Sequence, residues 1–128
     1  MRKMTLTVPA SPEWMLVLRL VTSGVGTIFD LPIDVVEDFK VAIEESGELL
    51  MHQPFCIQSL TMQCELSKQG LRVGLTAQKC DKVQEEEQMD ADIAGMIIET
   101  LVKEVKIDKQ EDGVHGVDLI FPVEYNEC

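Results

Sequence analysis

The sequence predicts an α+β fold, a two-layer sandwich in which a mixed, mostly antiparallel sheet carries three helices on one face. Three observations lead there. Apolar residues recur at helical spacing in three segments and alternate at strand spacing in five others. These segments follow one another in the order β-α-α-β-β-α-β-β. Helices grouped in this way between neighbouring strands segregate to one side of the sheet. The chain has 128 residues, 45% of them hydrophobic, which suits one domain spanning 1–128 with a single core.

Each element has its own signal. The run "MTLTV" alternates polar and apolar residues and reads as the first strand. Ser11 is a candidate N-cap, and Pro12 fits the first turn of a helix over about residues 12–28. Leu18, Val21, Val25 and Ile28 give that helix its apolar stripe. "DLPIDVVEDF" opens a second helix, with acids where the helix dipole favours them. Its core face is Val36, Phe39, Ile43, Gly47 and Leu50, and Pro54 ends it. "FCIQSLTMQCEL" and "LRVGLTAQ" are strands joined through "SKQG" as a hairpin with Gly70 in the turn. "KCDKVQEEEQMDAD" is polar and acidic and reads as a loop. "IAGMIIETLVKEV" is a third helix capped by Asp90 or Asp92. "VKID" and "GVDLIFPVEY" are closing strands turned through "KQEDG".

Composition narrows the function classes. The net charge is −12, which opposes binding to nucleic acid or to an anionic membrane, because phosphate recognition needs clustered Lys and Arg. No apolar run approaches the roughly 20 residues of a membrane span, and the N-terminus lacks a signal-peptide core. Cys56, Cys64, Cys80 and Cys128 form no C-x-x-C pair and no zinc-ligand spacing. Cys56 and Cys64, on one strand, would stand about 26 Å apart, beyond disulfide reach. All four are therefore expected to be reduced thiols in a cytoplasmic protein.

Few residues carry a chemical signal. Glu45 lies nearly opposite the core face of the second helix, yet Val41, Ala42 and Leu49 beside it are apolar. That side is expected to line a pocket or meet a partner. Glu45 itself fits a general base, a carboxylate that positions a nucleophile, or a solvated glutamate. "DADIAG" starts like a calcium loop, but Ala94 replaces a ligand and Leu101 stands where the closing Glu belongs. His52 and His115 have no partner at ligand spacing and read as surface or boundary residues. Arg19 is the lone charge between Glu13 and Asp30. It either covers apolar surface with its stem or anchors a partner. Neither a P-loop nor a dinucleotide fingerprint is present.

The stretch "VPASPEWMLVLRLVTSGVG…LPIDVVEDFKVAIEES" resembles the opening half of the bacterial anti-sigma-factor serine/threonine kinases. "IIETLVKEVKI…DGVHGVDLIF" resembles their closing helix and hairpin. The resemblance implies the GHKL, or Bergerat, ATPase fold of histidine-kinase catalytic domains. It also implies ATP bound through three motifs. Glu45 matches the family's general base, but the magnesium-ligating Asn four residues on is Leu49. The Asp and Gly that receive adenine fall at about Ala77 and Lys79. The glycines that cradle phosphates fall at Asp92 and Ala94, and Asp92 adds a negative charge there.

Losing three charged or polar contacts together would weaken nucleotide binding on the order of 10³-fold or more. The resemblance therefore implies a regulatory switch protein that acts by binding a protein, with ATP binding and kinase activity lost. No cofactor is expected; ATP and Mg²⁺ would be the ligands of a functional site. The implied partner is a sigma factor or an anti-anti-sigma-like protein, contacted through the first helix at Arg19, and the implied assembly is a homodimer. Two alternatives stay open. One is an active kinase in which Glu45 is the base and Asp81 or Asp92 takes the metal. The other is a sensor for a different small ligand, with Leu49 and Ala42 in a rebuilt rather than a filled pocket.

Overall fold

A computed structural model describes residues 2–68, 70–83, 91–102 and 104–121. The elements are β1 (Arg2–Pro9), a 3-10 turn (Pro12–Trp14), α1 (Met15–Ile28), α2 (Ile33–Met51), β2 (Phe55–Ser67), β3 (Gly70–Val83), α3 (Ala91–Glu99), β4 (Glu104–Gln110) and β5 (Gly113–Phe121). The strands form one sheet in the order β1-β2-β3-β5-β4. The α+β two-layer architecture agrees with the sequence, but the mixed sheet does not. Every pairing among the described strands is antiparallel. The reason lies in α1 and α2. Only four residues link them, and Met15 at the start of α1 meets Gly47 near the end of α2, so the helices run antiparallel. They return the chain to the end of the sheet where β1 finished, and β2 runs back against β1.

Alternation sorts the sheet into two faces. Met4, Cys64, Val73, Leu119 and Val105 share one cross-strand row, and Leu6, Met62, Leu75, Val117 and Ile107 share the next. These rows belong to the core beneath the helices. The opposite face is polar. There the hydroxyls of Thr7 and Thr61 meet at 2.9 Å, and Arg72 pairs with Asp118 at 2.6 Å.

Helix α2 is the centre of the upper layer. It packs against α1 on one side, α3 on the other, and β3 and β5 below. Burying Phe39, Ile43 and Leu50 completely is worth about 1.5–3 kcal/mol each. At Gly47 a Cβ would sit 2.7 Å from the Met15 sulfur, so glycine is what admits α1 this closely. Helix α1 ends in a Schellman arrangement: Leu31 N–H donates to Gly26 O at 2.9 Å and Asp30 N–H to Thr27 O at 3.2 Å. Asp30 takes the left-handed position, φ +53°, that short polar side chains tolerate. Among the described residues no helix is long and apolar enough to cross a membrane.

Four expectations need correction. Ser11 caps through its backbone: Trp14 N–H donates to Ser11 O, while the hydroxyl donates to Glu13. Strand β3 does not stop at Gln78 but runs through Lys79–Val83, because β2 begins early enough to pair with it. Helix α3 ends at Glu99, six residues before the predicted end, because Val105 and Ile107 are drawn into pairing with Leu119 and Val117. Finally, Cys56 and Cys80 are not free thiols. They form a disulfide across β2 and β3. Cys64 is a buried thiol, and Cys128 and Asp90 lie outside the described residues.

The β4–β5 turn closes at Gly113, whose φ is +136°. A Cβ there would stand 2.6 Å from the Gln53 carboxamide oxygen. Gly113→Ala is expected to cost about 1–3 kcal/mol. Urea unfolding would show this as a lower midpoint with an unchanged slope.

Candidate functional site

The site question turns on which way α2 faces. Phe39, Ala42, Ile43, Ser46, Gly47, Leu49 and Leu50 are all buried, as is Gln53 just beyond the helix. At 3.6 residues per turn they sweep about 160° of its circumference. The side expected to line a pocket is therefore split. Ala42 and Leu49 belong wholly to the core, while Val41 and Glu45 stand at its rim.

Glu45 lines a groove of about 700 Å³ between the start of α1 and the end of α2. Arg19 lies in the same groove and binds Glu44, Nη1 to Oε1, at 2.8 Å. Glu13 and Glu48 complete a set of four carboxylates around one guanidinium. The excess of carboxylates makes the groove repel anions such as phosphates. None of the five expected ATP-site positions lines it.

Those five positions do not form a site of their own. Leu49 and Ala94 are core residues, and Ala77 is half-buried against the core. Lys79 reaches the β4–β5 turn and pairs with Asp112, its ammonium 4.6 Å above the Phe55 ring. Asp92, in the first turn of α3, lies 3.8 Å from the Lys109 ammonium. Ala42 and Leu49 are both packed interior.

The stretch that starts like a calcium loop is helical from Ala91 to Glu99. Among the described residues no three His, Cys, Asp or Glu side chains gather as metal ligands.

No protein-family model and no curated protein sequence matches the chain.

A second cluster escaped the sequence reading. Gln53 is buried and bonds in both directions: its amide donates to Leu49 O at 2.7 Å, and its oxygen accepts from Val114 N–H at 2.8 Å. Next to it the rings of Phe55 and His115 stack with centroids 4.8 Å apart. His115 Nε2 meets Asp112 Oδ1 at 2.6 Å, and Lys79 binds the other oxygen of the same carboxylate. Asp112 and His115 lie three residues apart in "EDGVHG", a spacing visible in the sequence. Their junction with Lys79 and Phe55 needs the sheet. His52, by contrast, closes the end of α2, with Nδ1 2.7 Å from Glu48 O.

The Lys79 hydrogen bond, then that of His115, holds the Asp112 carboxyl down at about 2 against an ordinary 3.8. A carboxylate whose pKa is lowered in the fold stabilises it above the unfolded value. That contribution is lost as pH falls from about 4 through 2. The unfolding temperature of the wild type should fall more steeply over that window than that of Asp112→Asn, as followed by circular dichroism from pH 5 to 2.

Proposed function

We propose that this chain is a non-catalytic regulatory module with a switch-kinase-like fold that acts by binding a protein through α1. The outer face of that helix carries the reading. Leu16 and Leu20, 53% and 64% exposed, lie one helical turn apart, and Arg19 stands one turn from Leu16 on its other side. Two exposed leucines beside a single arginine suit a protein partner: apolar area supplies affinity and the guanidinium supplies register. Arg19 already holds Glu44 at the surface, a pair worth little in water, so an acid on the partner displaces it at low cost.

Loss of nucleotide binding is supported by the packing of α2 and α3. Leu49 and Ala94 fill the core at the positions where a magnesium ligand and a phosphate-cradle glycine would be needed. Lys79 is held by Asp112 at the position of the adenine motif. Glu45 retains the place of a base, but the groove it lines is crowded with other carboxylates. The fold resemblance then points to a sigma factor or an anti-anti-sigma-like protein as partner.

Two measurements test this. Millimolar Mg-ATP should leave the unfolding temperature unchanged. A nucleotide at 100 times its dissociation constant would add about 2.7 kcal/mol, a rise of roughly 8–15 °C. Such a rise, with serine phosphorylation lost in Glu45→Gln, would replace this reading with a working kinase. Arg19→Glu should abolish binding to a sigma-factor or anti-anti-sigma-like partner in titration calorimetry while the protein stays folded. Unchanged affinity would remove α1 as the docking face.

A further inference from the structure

We propose that the Cys56–Cys80 disulfide is a reversible, redox-operated clamp on the free end of β3. The sheet gives this bond a particular place. Strand β3 is paired on both sides only as far as Thr76, where its ladder with β5 ends. Among the described residues it pairs from Ala77 to Val83 with β2 alone, and that ladder slips twice, between Phe55 and Ile57 and between Ile57 and Ser59. A one-sided, irregular ladder is the kind of segment that opens locally at small cost. The disulfide joins β2 and β3 within it, with a Cα–Cα separation of 5.4 Å.

The bond also closes a ring of contacts. Cys56 follows Phe55, which stacks on His115; His115 binds Asp112; Asp112 binds Lys79; and Lys79 precedes Cys80. Opening the disulfide leaves Lys79 tied to the β4–β5 turn through Asp112, an exposed ion pair.

Three features favour a reversible bond over a permanent staple. Both cysteines are partly exposed and lie outside the buried core. The domain has a full apolar core and does not depend on a crosslink as small disulfide-rich domains do. Cys64 does not scramble the pair: it is buried, and burial pushes its thiol up to about 11, which keeps it protonated. The step is an ordinary thiol–disulfide exchange with a dithiol or with glutathione. A reductant thiolate attacks one sulfur and releases the other as a protein thiolate. A second reductant thiol then resolves the mixed disulfide. Two electrons pass to the protein sulfurs, which take up two protons, and the reductant leaves as its disulfide.

The test uses the full chain, equilibrated in glutathione buffers from fully oxidised to about a 100-fold excess of the reduced form. Free thiols at Cys56 and Cys80 are trapped and quantified by mass spectrometry, and amide exchange is followed in the same samples. The pair should open and reclose within this range without global unfolding. Protection of the Lys79–Val83 amides should fall at least tenfold in the reduced protein while that of Leu71–Leu75 is unchanged. The unfolding temperature should fall by roughly 10 °C. A Cys56→Ser/Cys80→Ser double variant should reproduce the reduced pattern and ignore the buffer. A bond that resists glutathione until the whole protein unfolds, equal protection in both forms, or a double variant that cannot fold would each overturn the proposal.

Discussion

The burial of α2 across nearly half its circumference is the constraint on which the rest of the molecule depends. A surface helix needs only a narrow apolar stripe, but α2 lies between two other helices and above the sheet. Each neighbour claims part of its surface. The sheet and α1 meet Gly47, where Met15 and Leu75 converge. The arc continues through Ser46 and Gln53 to Ala42 and Leu49. Polar groups inside such an arc cost free energy unless they are paired. Ser46 resolves this by donating to Ala42 O at 2.7 Å, and Thr22 on α1 does the same to Leu18 O. Gln53 does more, because its two bonds fasten the end of the helix to the start of β5.

That fastening makes the β4–β5 turn a junction. The end of α2, the start of β2 and the end of β3 all meet the short segment from Asp112 to His115. Hydrogen bonds, an ion pair and a ring stack converge there, with the disulfide just behind them. The five residues that the family resemblance assigns to nucleotide binding end up in the core or facing this same hairpin. The docking surface proposed above lies elsewhere, along α1 and its groove with α2, where exposed leucines, four glutamates and one arginine combine apolar area with charge.

Much of the fold was legible in the sequence, because its periodicities are clean. The strand alternations in "MTLTV" and "FCIQSLTMQCEL" became β1 and β2 with their apolar residues inward; of the helical stripes, Leu18 and Val25 on α1 and Phe39, Ile43, Gly47 and Leu50 on α2 are buried, whereas Val21 and Val36 are half-buried and Ile28, at the end of α1, is exposed. The errors fall where local pattern and tertiary pairing compete. "KCDKV" is polar and reads as loop, yet a partner strand was available and took it. "LVKEV" continues the helical period of α3, yet β-branched Val105 gains more beside Leu119.

By itself, then, the sequence determined the α+β class, the order of elements and the hairpin turn at Gly70. These depend on periodicity and residue type, which are local. Tertiary structure alone decided three other things. It chose an all-antiparallel sheet, because the α1–α2 hairpin fixes the direction of β2. It buried Leu49 while leaving Glu45 at the rim, because α2 has neighbours on three sides. It also joined Cys56 to Cys80. Unbroken pairing from the hairpin turn would set Asp81 opposite Cys56, and the register shift near Ile57 brings Cys80 there instead. A one-residue slip in a ladder is set by the whole sheet, and no spacing in the sequence encodes it.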